Sequence, residues 1–179
     1  MSDITLTANT CCFTGHRPKS LPWGYDETSA QCNDFKSVLE NTIRQAIDNG
    51  YTHFIVGLAE GFDTYALEIL ISLRDKEQKQ ITIEGAIPCV GQESVWDTPN
   101  QDRYKMLKSK LDFQTIISES YSKTCMHKRN DYMLACSSLV IACYHGITGG
   151  TSSTLKKAQK QGKQIIVINP NTLNITRSI

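Results

Sequence analysis

Short apolar runs rich in β-forming residues alternate with amphipathic segments along this chain. The runs lack the in-and-out alternation of half-exposed strands, so we expect strands buried on both faces, as in a parallel sheet covered by helices. The six predicted strands lie at residues 10–14, 52–56, 81–87, 113–118, 138–144 and 163–168. This order predicts an α/β fold with a doubly wound, mostly parallel sheet and helices on both faces.

Five amphipathic segments are predicted to be the helices that separate these strands. In the first, apolar residues such as Leu39 and Ile43 recur at helical spacing, and Gly50 ends the helix at the usual C′ position. The predicted helices cover residues 27–49, 62–76, 101–111, 124–135 and 151–161. Because no repeat or long linker interrupts the pattern, we expect a single domain over residues 1–179, with its core at about 10–170 and short tails at both ends.

Charge and cysteine content narrow the classes of partner. The formal net charge is +1, which provides no global field to attract nucleic acid or an anionic membrane. No apolar run approaches the roughly 20 residues of a membrane span, so no membrane partner is expected.

The seven cysteines include no Cys-x-x-Cys pair, which predicts a reduced, cytoplasmic protein. A zinc site from Cys125, His127 and Cys136 would fit no standard spacing, and neither metal nor cofactor is predicted.

The strand at 138–144 leads through Gly149 and Gly150 into a helix that we expect to begin with Thr151 as its N-cap. Glycines allow positive φ and a close approach of the backbone to a ligand. The free N–H groups and the positive dipole at a helix start suit an anion, most often phosphate. A plain strand-to-helix turn that needs glycine for its geometry is the alternative.

Unusual residues follow four of the predicted strands, and these strand ends should share one edge of the sheet. The four segments are 15–17, 57–63, 88–92 and 146–151. Their convergence predicts a ligand site. The chain has neither a P-loop nor a Gly-x-Gly-x-x-Gly motif after the first strand, so P-loop ATP hydrolysis and standard dinucleotide binding are not predicted.

Four pieces of sequence occur together in an order and spacing typical of a known superfamily. They are Thr14-Gly15-His16-Arg17-Pro18, the run from Gly57 to Ala66, Ile87-Pro88 with Gln92 and Trp96, and Arg129 with Tyr132-Met133 followed by Gly149-Gly150-Thr151. Over about residues 10–170 the chain resembles the SLOG superfamily, which includes the DNA-processing protein DprA and LOG-type phosphoribohydrolases. Within it, the chain is most similar to the small stand-alone YpsA-like branch. The resemblance implies a single Rossmann-like domain, a nucleotide-type ligand at the strand ends, and a homodimer.

Candidate ligand-binding residues come from the strand ends and from the resemblance. They are Gly15, His16, Arg17, Gly57, Gly61, Asp63, Gln92, Arg129, Gly149, Gly150 and Thr151. Arg17 suits bidentate phosphate recognition, with a solvated loop arginine as the alternative. His16 either contacts phosphate or caps its turn. Asp63 either binds ribose hydroxyls or is stabilised by the helix dipole alone.

The resemblance also provides a catalytic hypothesis. LOG-type enzymes cleave the N-glycosidic bond of nucleotides with an arginine on the helix before the glycine strand and a glutamate after Gly-x-Gly-Thr. Arg129 matches the arginine, whereas the glutamate position falls on Thr154. A threonine cannot serve as an anionic acid or base, nor stabilise an oxocarbenium-like centre as a carboxylate does. The candidate catalytic set is therefore Arg129 with Asp63 or Glu68 in place of that glutamate.

Three functions remain from the sequence. The preferred one is a sensor or regulatory module that binds a nucleotide or nucleotide-derived small molecule. The second is a LOG-like nucleotide N-glycosidase. The third is single-stranded DNA binding as in DprA, which the near-neutral charge and the lack of a basic run with interleaved aromatics disfavour.

Overall fold

A computed structural model describes residues 8–178, and seven strands within that range form one sheet. The strands are β1 (Thr10–Gly15), β2 (His53–Val56), β3 (Thr82–Ile87), β4 (Phe113–Ile116), β5 (Leu139–Cys143), β6 (Gln164–Ile168) and β7 (Ile175–Ser178). Their order is β4-β3-β2-β1-β5-β6-β7, with β1 to β6 parallel and β7 antiparallel to β6. The predicted doubly wound sheet is confirmed. Because the order reverses at β1, the switch point lies between β1 and β5.

Each of the five predicted helices is present, with ends moved by a few residues. The helices are α1 (Ala30–Asp48), α2 (Phe62–Asp75), α3 (Thr98–Lys108), α4 (Cys125–Ala135) and α5 (Gly150–Lys160). Helix α1 begins later than predicted because Ser29 is its N-cap and accepts from the N–H of Cys32. Helix α3 begins earlier because Asp97 caps it and Pro99 is tolerated in a first helical turn.

The core consists of two apolar layers, one on each face of the sheet. Phe13 and Phe54 face the layer that contains α1 and α2. Their strand neighbours Cys12 and Ile55 face the layer that contains α4 and α5. This alternation explains why the central strands read as continuous apolar runs, because both of their faces are buried. All seven cysteines lie in the described part of the chain as buried free thiols.

The C-terminal tail prediction is wrong for residues 175–178, which form the antiparallel edge strand β7. Ile175 pairs with Ile168 and Ser178 pairs with Ile165, while all four side chains of β7 are exposed. Such a strand is held by backbone hydrogen bonds and needs no apolar run, so its sequence carries no strand signal. The predicted N-terminal tail falls on residues 1–7, which lie outside the described residues. None of the described helices is both long and apolar enough to span a membrane.

Candidate functional site

A cavity of about 370 Å³ opens at the carboxyl ends of β1 and β5, beside the switch point. Its lining comes from the loop after β1, the turn into α2, helix α4 and the turn into α5. Eight of the predicted ligand residues line it: Gly15, His16, Arg17, Asp63, Arg129, Gly149, Gly150 and Thr151. The fold therefore brings together residues that are up to 136 positions apart in the sequence, from Gly15 to Thr151.

The turn into α5 presents open backbone N–H groups at the cavity. Thr151 is not the N-cap as predicted: Gly149 holds that position, and its carbonyl accepts the first helical hydrogen bond from Ser153 at 3.0 Å. Gly149 has φ +153°, which allows the helix to begin two residues earlier than predicted. Within residues 8–178 no side chain caps this helix start. The N–H groups of the first turn thus remain available to an anion.

Positive side chains outnumber negative ones around the cavity. Arg17, Lys19 and Arg129 line it, while Asp63 is the acidic residue among its described lining. Arg17 and Lys19 are exposed at the rim, whereas Arg129 is only 6% exposed. Lys19 was missed by the sequence analysis because no motif contains it; the short 3₁₀ helix Pro18–Ser20 brings it to the rim.

The side chain of Arg129, which lines the cavity, is held by two hydrogen bonds. Its Nη1 donates to the carbonyl of Gly57, and its Nε donates to Oδ1 of Asn130 at 2.8 Å. Burial lowers the pKa of Arg129, an effect that neighbouring Asp63 opposes. Gly57 lies against both charged groups: a Cβ there would overlap the guanidinium and lie 2.7 Å from Oδ2 of Asp63. Glycine is therefore required at position 57, because a side chain there would collide with these two charged groups. Gly57 itself does not line the cavity.

Asp63 is a buried carboxylate in the first turn of α2. Its Oδ2 accepts from the N–H of Ala59 at 3.2 Å. Burial raises the pKa of Asp63, while Arg129, the Ala59 amide and Arg17 lower it. The carboxylate is thus oriented by the turn after β2 and lines the cavity together with the two arginines.

His16 is a neutral side chain on the cavity wall. Its Nε2 accepts from the backbone N–H of His145 at 3.3 Å, and the two rings lie 4.5 Å apart between centroids. Burial, together with His145, lowers the pKa of His16 to about 4. At neutral pH it therefore adds no positive charge to the site.

Two predicted ligand residues support the neighbouring loops instead of lining the cavity. Gly61, with φ +86°, is the N-cap of α2 and packs so closely that a Cβ would lie 2.9 Å from the carbonyl oxygen of His16. Gln92 is buried, and its Nε2 donates to Leu58 O at 3.4 Å and Tyr104 Oη at 3.2 Å. Both residues thus contribute to the position of the turn that follows β2.

Glu68 and Thr154 also lie away from the cavity. The carboxylate of Glu68 accepts hydrogen bonds from Nε and Nη2 of Arg103, at 2.7 and 2.8 Å. Thr154, at the glutamate position of LOG-type enzymes, is 5% exposed; its Oγ1 donates to Gly150 O at 2.9 Å and accepts from Asn130 Nδ2 at 3.0 Å. A hydroxyl already used in two hydrogen bonds thus replaces the carboxylate.

Together these features define a Rossmann-like α/β protein with a positively charged cavity at the switch point of its sheet. A family model named YpsA, described as the YspA SLOG family, matches residues 11–173. Because the match covers most of the length of the chain, the chain belongs to this family. The predicted SLOG membership and the YpsA-like branch are confirmed. No group of three or more His, Cys, Asp and Glu side chains in residues 8–178 is arranged to hold a metal ion.

Related sequences come from Bacillus and its relatives. An uncharacterised SPbeta prophage-derived protein, YoqJ, of Bacillus subtilis is 30% identical over 149 residues, which cover 75% of this chain and 85% of YoqJ. A UPF0398 protein of Bacillus velezensis is 22% identical over 83% of this chain and 82% of its own length. A UPF0398 protein of Lysinibacillus sphaericus is 26% identical over 60% of this chain, and the match spans only 59% of that protein.

Two solved structures share the fold. DprA from Streptococcus pneumoniae superposes with a TM-score of 0.60 at 18% identity, over 90% of this chain and 50% of that one. DprA from Helicobacter pylori, whose structure is described for its single-stranded DNA binding mode, superposes with a TM-score of 0.60 at 19% identity. The superposition covers 93% of this chain and 68% of that one. This chain therefore spans about half of the S. pneumoniae protein. At these identities the similarity is one of fold.

Proposed function

We propose that this chain binds a nucleotide or nucleotide-derived ligand in the switch-point cavity and acts as a sensor or regulatory module. The observation that carries the proposal is the uncapped start of α5 facing a cavity lined by Arg17, Lys19 and Arg129. Backbone N–H groups and guanidinium groups are the usual partners of phosphate in proteins. The volume of about 370 Å³ lies within the range of small-molecule pockets.

The arrangement of charges suggests how such a ligand would lie. Phosphate is best stabilised at the N-terminus of α5, where the helix dipole and the exposed Arg17 act together. Asp63 also lines the cavity and offers carboxylate oxygens that accept from hydroxyl groups such as those of ribose. A sugar phosphate would therefore have each polar part matched by a complementary group.

Thr154 favours binding over hydrolysis. It occupies the position where the LOG-type resemblance expects a glutamate, and its hydroxyl bonds Gly150 and Asn130. Without that carboxylate, the oxocarbenium-like centre of N-glycosidic cleavage lacks its usual anionic partner.

A nucleotide N-glycosidase is the second candidate, and Asp63 is the observation in its favour. This carboxyl lines the cavity, and burial raises its pKa, which is the direction that a general acid requires. Release of free base from a nucleotide, abolished by Asp63→Asn, would establish this function; binding without release at high enzyme concentration would exclude it.

Single-stranded DNA binding is the third candidate, supported by the fold shared with H. pylori DprA. Binding to an oligonucleotide with a steep dependence on salt would favour it, since each phosphate contact releases counterions. The chain's net charge of +1 argues against a long phosphate track.

The decisive test of nucleotide binding is a thermal-shift panel of nucleotides, nucleosides, sugar phosphates and ADP-ribose, with free base measured in the same samples. A ligand at 100 times its Kd adds about 2.7 kcal/mol to stability. At roughly 2–4 °C per kcal/mol for this size, Tm should rise by about 5–10 °C. AMP should stabilise the protein and adenosine should not, if phosphate carries recognition.

Matched arginine variants give the control. Arg17→Gln removes a cavity guanidinium and should abolish the AMP shift. Arg44→Gln removes an arginine on α1 that pairs with Glu40 and Glu77 outside the cavity lining, and it should leave the shift unchanged. A panel without any shift would overturn the proposal.

We further propose that the chain acts as a single domain in the cytoplasm and as a homodimer. The sheet that runs through residues 10–178 supports one domain. The seven buried free thiols support a reducing compartment. The dimer rests on the resemblance alone, and sedimentation equilibrium would test it.

A further inference from the structure

The tautomer of His16 can be derived from its hydrogen bond to His145. We propose that His16 recognises the ligand as a neutral donor through Nδ1–H, in a tautomer selected by the backbone of His145. The proposal rests on the proposed function, since it takes the switch-point cavity as the ligand site. It adds a specificity-determining role that no motif in the sequence specifies.

The first step concerns the proton on the imidazole. The backbone N–H of His145 points at Nε2 of His16, with 3.3 Å between the two nitrogens. An amide N–H always donates, so Nε2 must be the acceptor. In a neutral imidazole one nitrogen accepts and the other carries the hydrogen. The hydrogen of His16 is therefore on Nδ1.

The second step concerns charge. Protonation of Nε2 would place two donors head to head and lose the bond from His145. The neighbouring imidazole of His145 also opposes a positive charge on His16. Nε2 of His145 lies 3.0 Å from the carbonyl oxygen of Ser20, which holds that ring in place. Burial of His16 acts in the same direction. The hydrogen bond from His145 therefore selects the Nδ1–H tautomer, and burial together with the neighbouring ring favours its neutral form.

The third step concerns access. In the part of the chain that the structure describes, every buried side-chain nitrogen and oxygen has a hydrogen-bond partner. Across residues 8–178, Nδ1 of His16 has none, so this atom must keep accessible surface. His16 lines the cavity, and the proposal takes this accessible Nδ1–H donor to face whatever occupies it. A neutral donor suits a phosphate, ester or hydroxyl oxygen, and it excludes a ligand group that can only donate.

The tautomer is tested directly, without a ligand, by long-range ¹H–¹⁵N correlation spectra of the ¹⁵N-labelled protein at pH 7. The chain has four histidines, and the spectrum of His16→Asn identifies the His16 signals by their loss. We expect a protonated-type shift for Nδ1 and an unprotonated-type shift for Nε2. The opposite pattern, or two protonated nitrogens, would overturn the proposal.

Ligand recognition is tested with two variants and AMP as the probe in calorimetry. Asparagine can place its amide N–H near the position of Nδ1, whereas glutamine extends towards Nε2 and lacks a donor at that place. We expect His16→Asn to lose less than fourfold in affinity and His16→Gln more than tenfold. Equal losses, or a greater loss for asparagine, would overturn the role of Nδ1–H.

The two measurements separate this inference from the proposed function. If AMP, ADP-ribose and ribose 5-phosphate all fail to bind the wild-type protein, the nucleotide proposal is overturned and recognition by His16 with it, whatever the tautomer. If AMP binds and the spectra show Nε2–H, only the His16 inference is overturned. His53→Asn, which changes a histidine paired with Glu84 outside the lining, serves as the binding control.

Discussion

Asn130 on α4 donates from Nδ2 to Oγ1 of Thr154 on α5 at 3.0 Å. The same amide accepts from Nε of Arg129 through Oδ1, and Thr154 donates to the carbonyl of Gly150. One line of hydrogen bonds thus connects the buried arginine with the first turn of α5. The two parts of the proposed phosphate site come from different helices, and these side chains set their relative position.

Thr154→Val should weaken both stability and binding. Valine keeps the shape but leaves Asn130 without its acceptor, which should lower the free energy of unfolding by about 1–3 kcal/mol. The affinity for AMP should fall as well, because Arg129 is no longer positioned through Asn130. Urea unfolding and calorimetry measure the two effects. Thr154→Ser retains the hydroxyl and should show the smaller loss in each; a valine variant with wild-type affinity would contradict the positioning role.

Gly57→Ala should disrupt the site from beneath. The added Cβ would overlap the Arg129 guanidinium and approach Asp63 to 2.7 Å, so both charged groups must move. Overpacking of this kind costs about 1–3 kcal/mol, and AMP binding should fall at least tenfold. Chemical unfolding of Gly150→Ala provides the steric control, because its Cβ would meet nothing within 4 Å. Equal stabilities of wild type and Gly57→Ala would refute the close-approach argument.

Asp63→Asn should affect ligand binding, whereas Glu68→Gln should not. Asp63 lines the cavity, so loss of its charge should change the affinity for AMP and, if base is released, the rate. Glu68 on α2 binds Arg103 on α3 and does not line the cavity, so Glu68→Gln should leave binding and any base release unaltered. A partly exposed ion pair such as this one contributes about 1 kcal/mol, so stability should change little. Glu68→Gln with impaired binding would show that Glu68 reaches the ligand.

Stability should fall between pH 7 and pH 4 in part because of His16. Its pKa is about 4 in the folded chain and near 6.5 when unfolded, so the unfolded state binds more protons in this interval. The stabilisation is present above pH 6.5 and is lost as pH falls towards 4, by at most about 3 kcal/mol. Urea unfolding at several pH values should show a shallower fall for His16→Asn. Parallel curves for the two proteins would contradict the lowered pKa.

Residue spacing alone separates the two candidate carboxylates. Asp63 and Glu68 are five positions apart on α2, which turns them by roughly 140° around the helix axis. Only one of them could face the strand ends. The missed strand β7 had no comparable signal, because its exposed side chains leave no periodic pattern.

The order of the first six strands and their helices, the location of a site at the carboxyl ends, and seven of its lining residues follow from the amino-acid pattern, because burial periodicity and glycine geometry are local properties of the chain. Arg129 was assigned from the SLOG resemblance. The roles within the site do not. The pairing of Arg129 with Gly57, the neutral form of His16 and the removal of Glu68 from the cavity depend on contacts between residues 35 to 129 positions apart. Only the packed fold sets those distances, and burial and hydrogen bonding then determine the charge of each group.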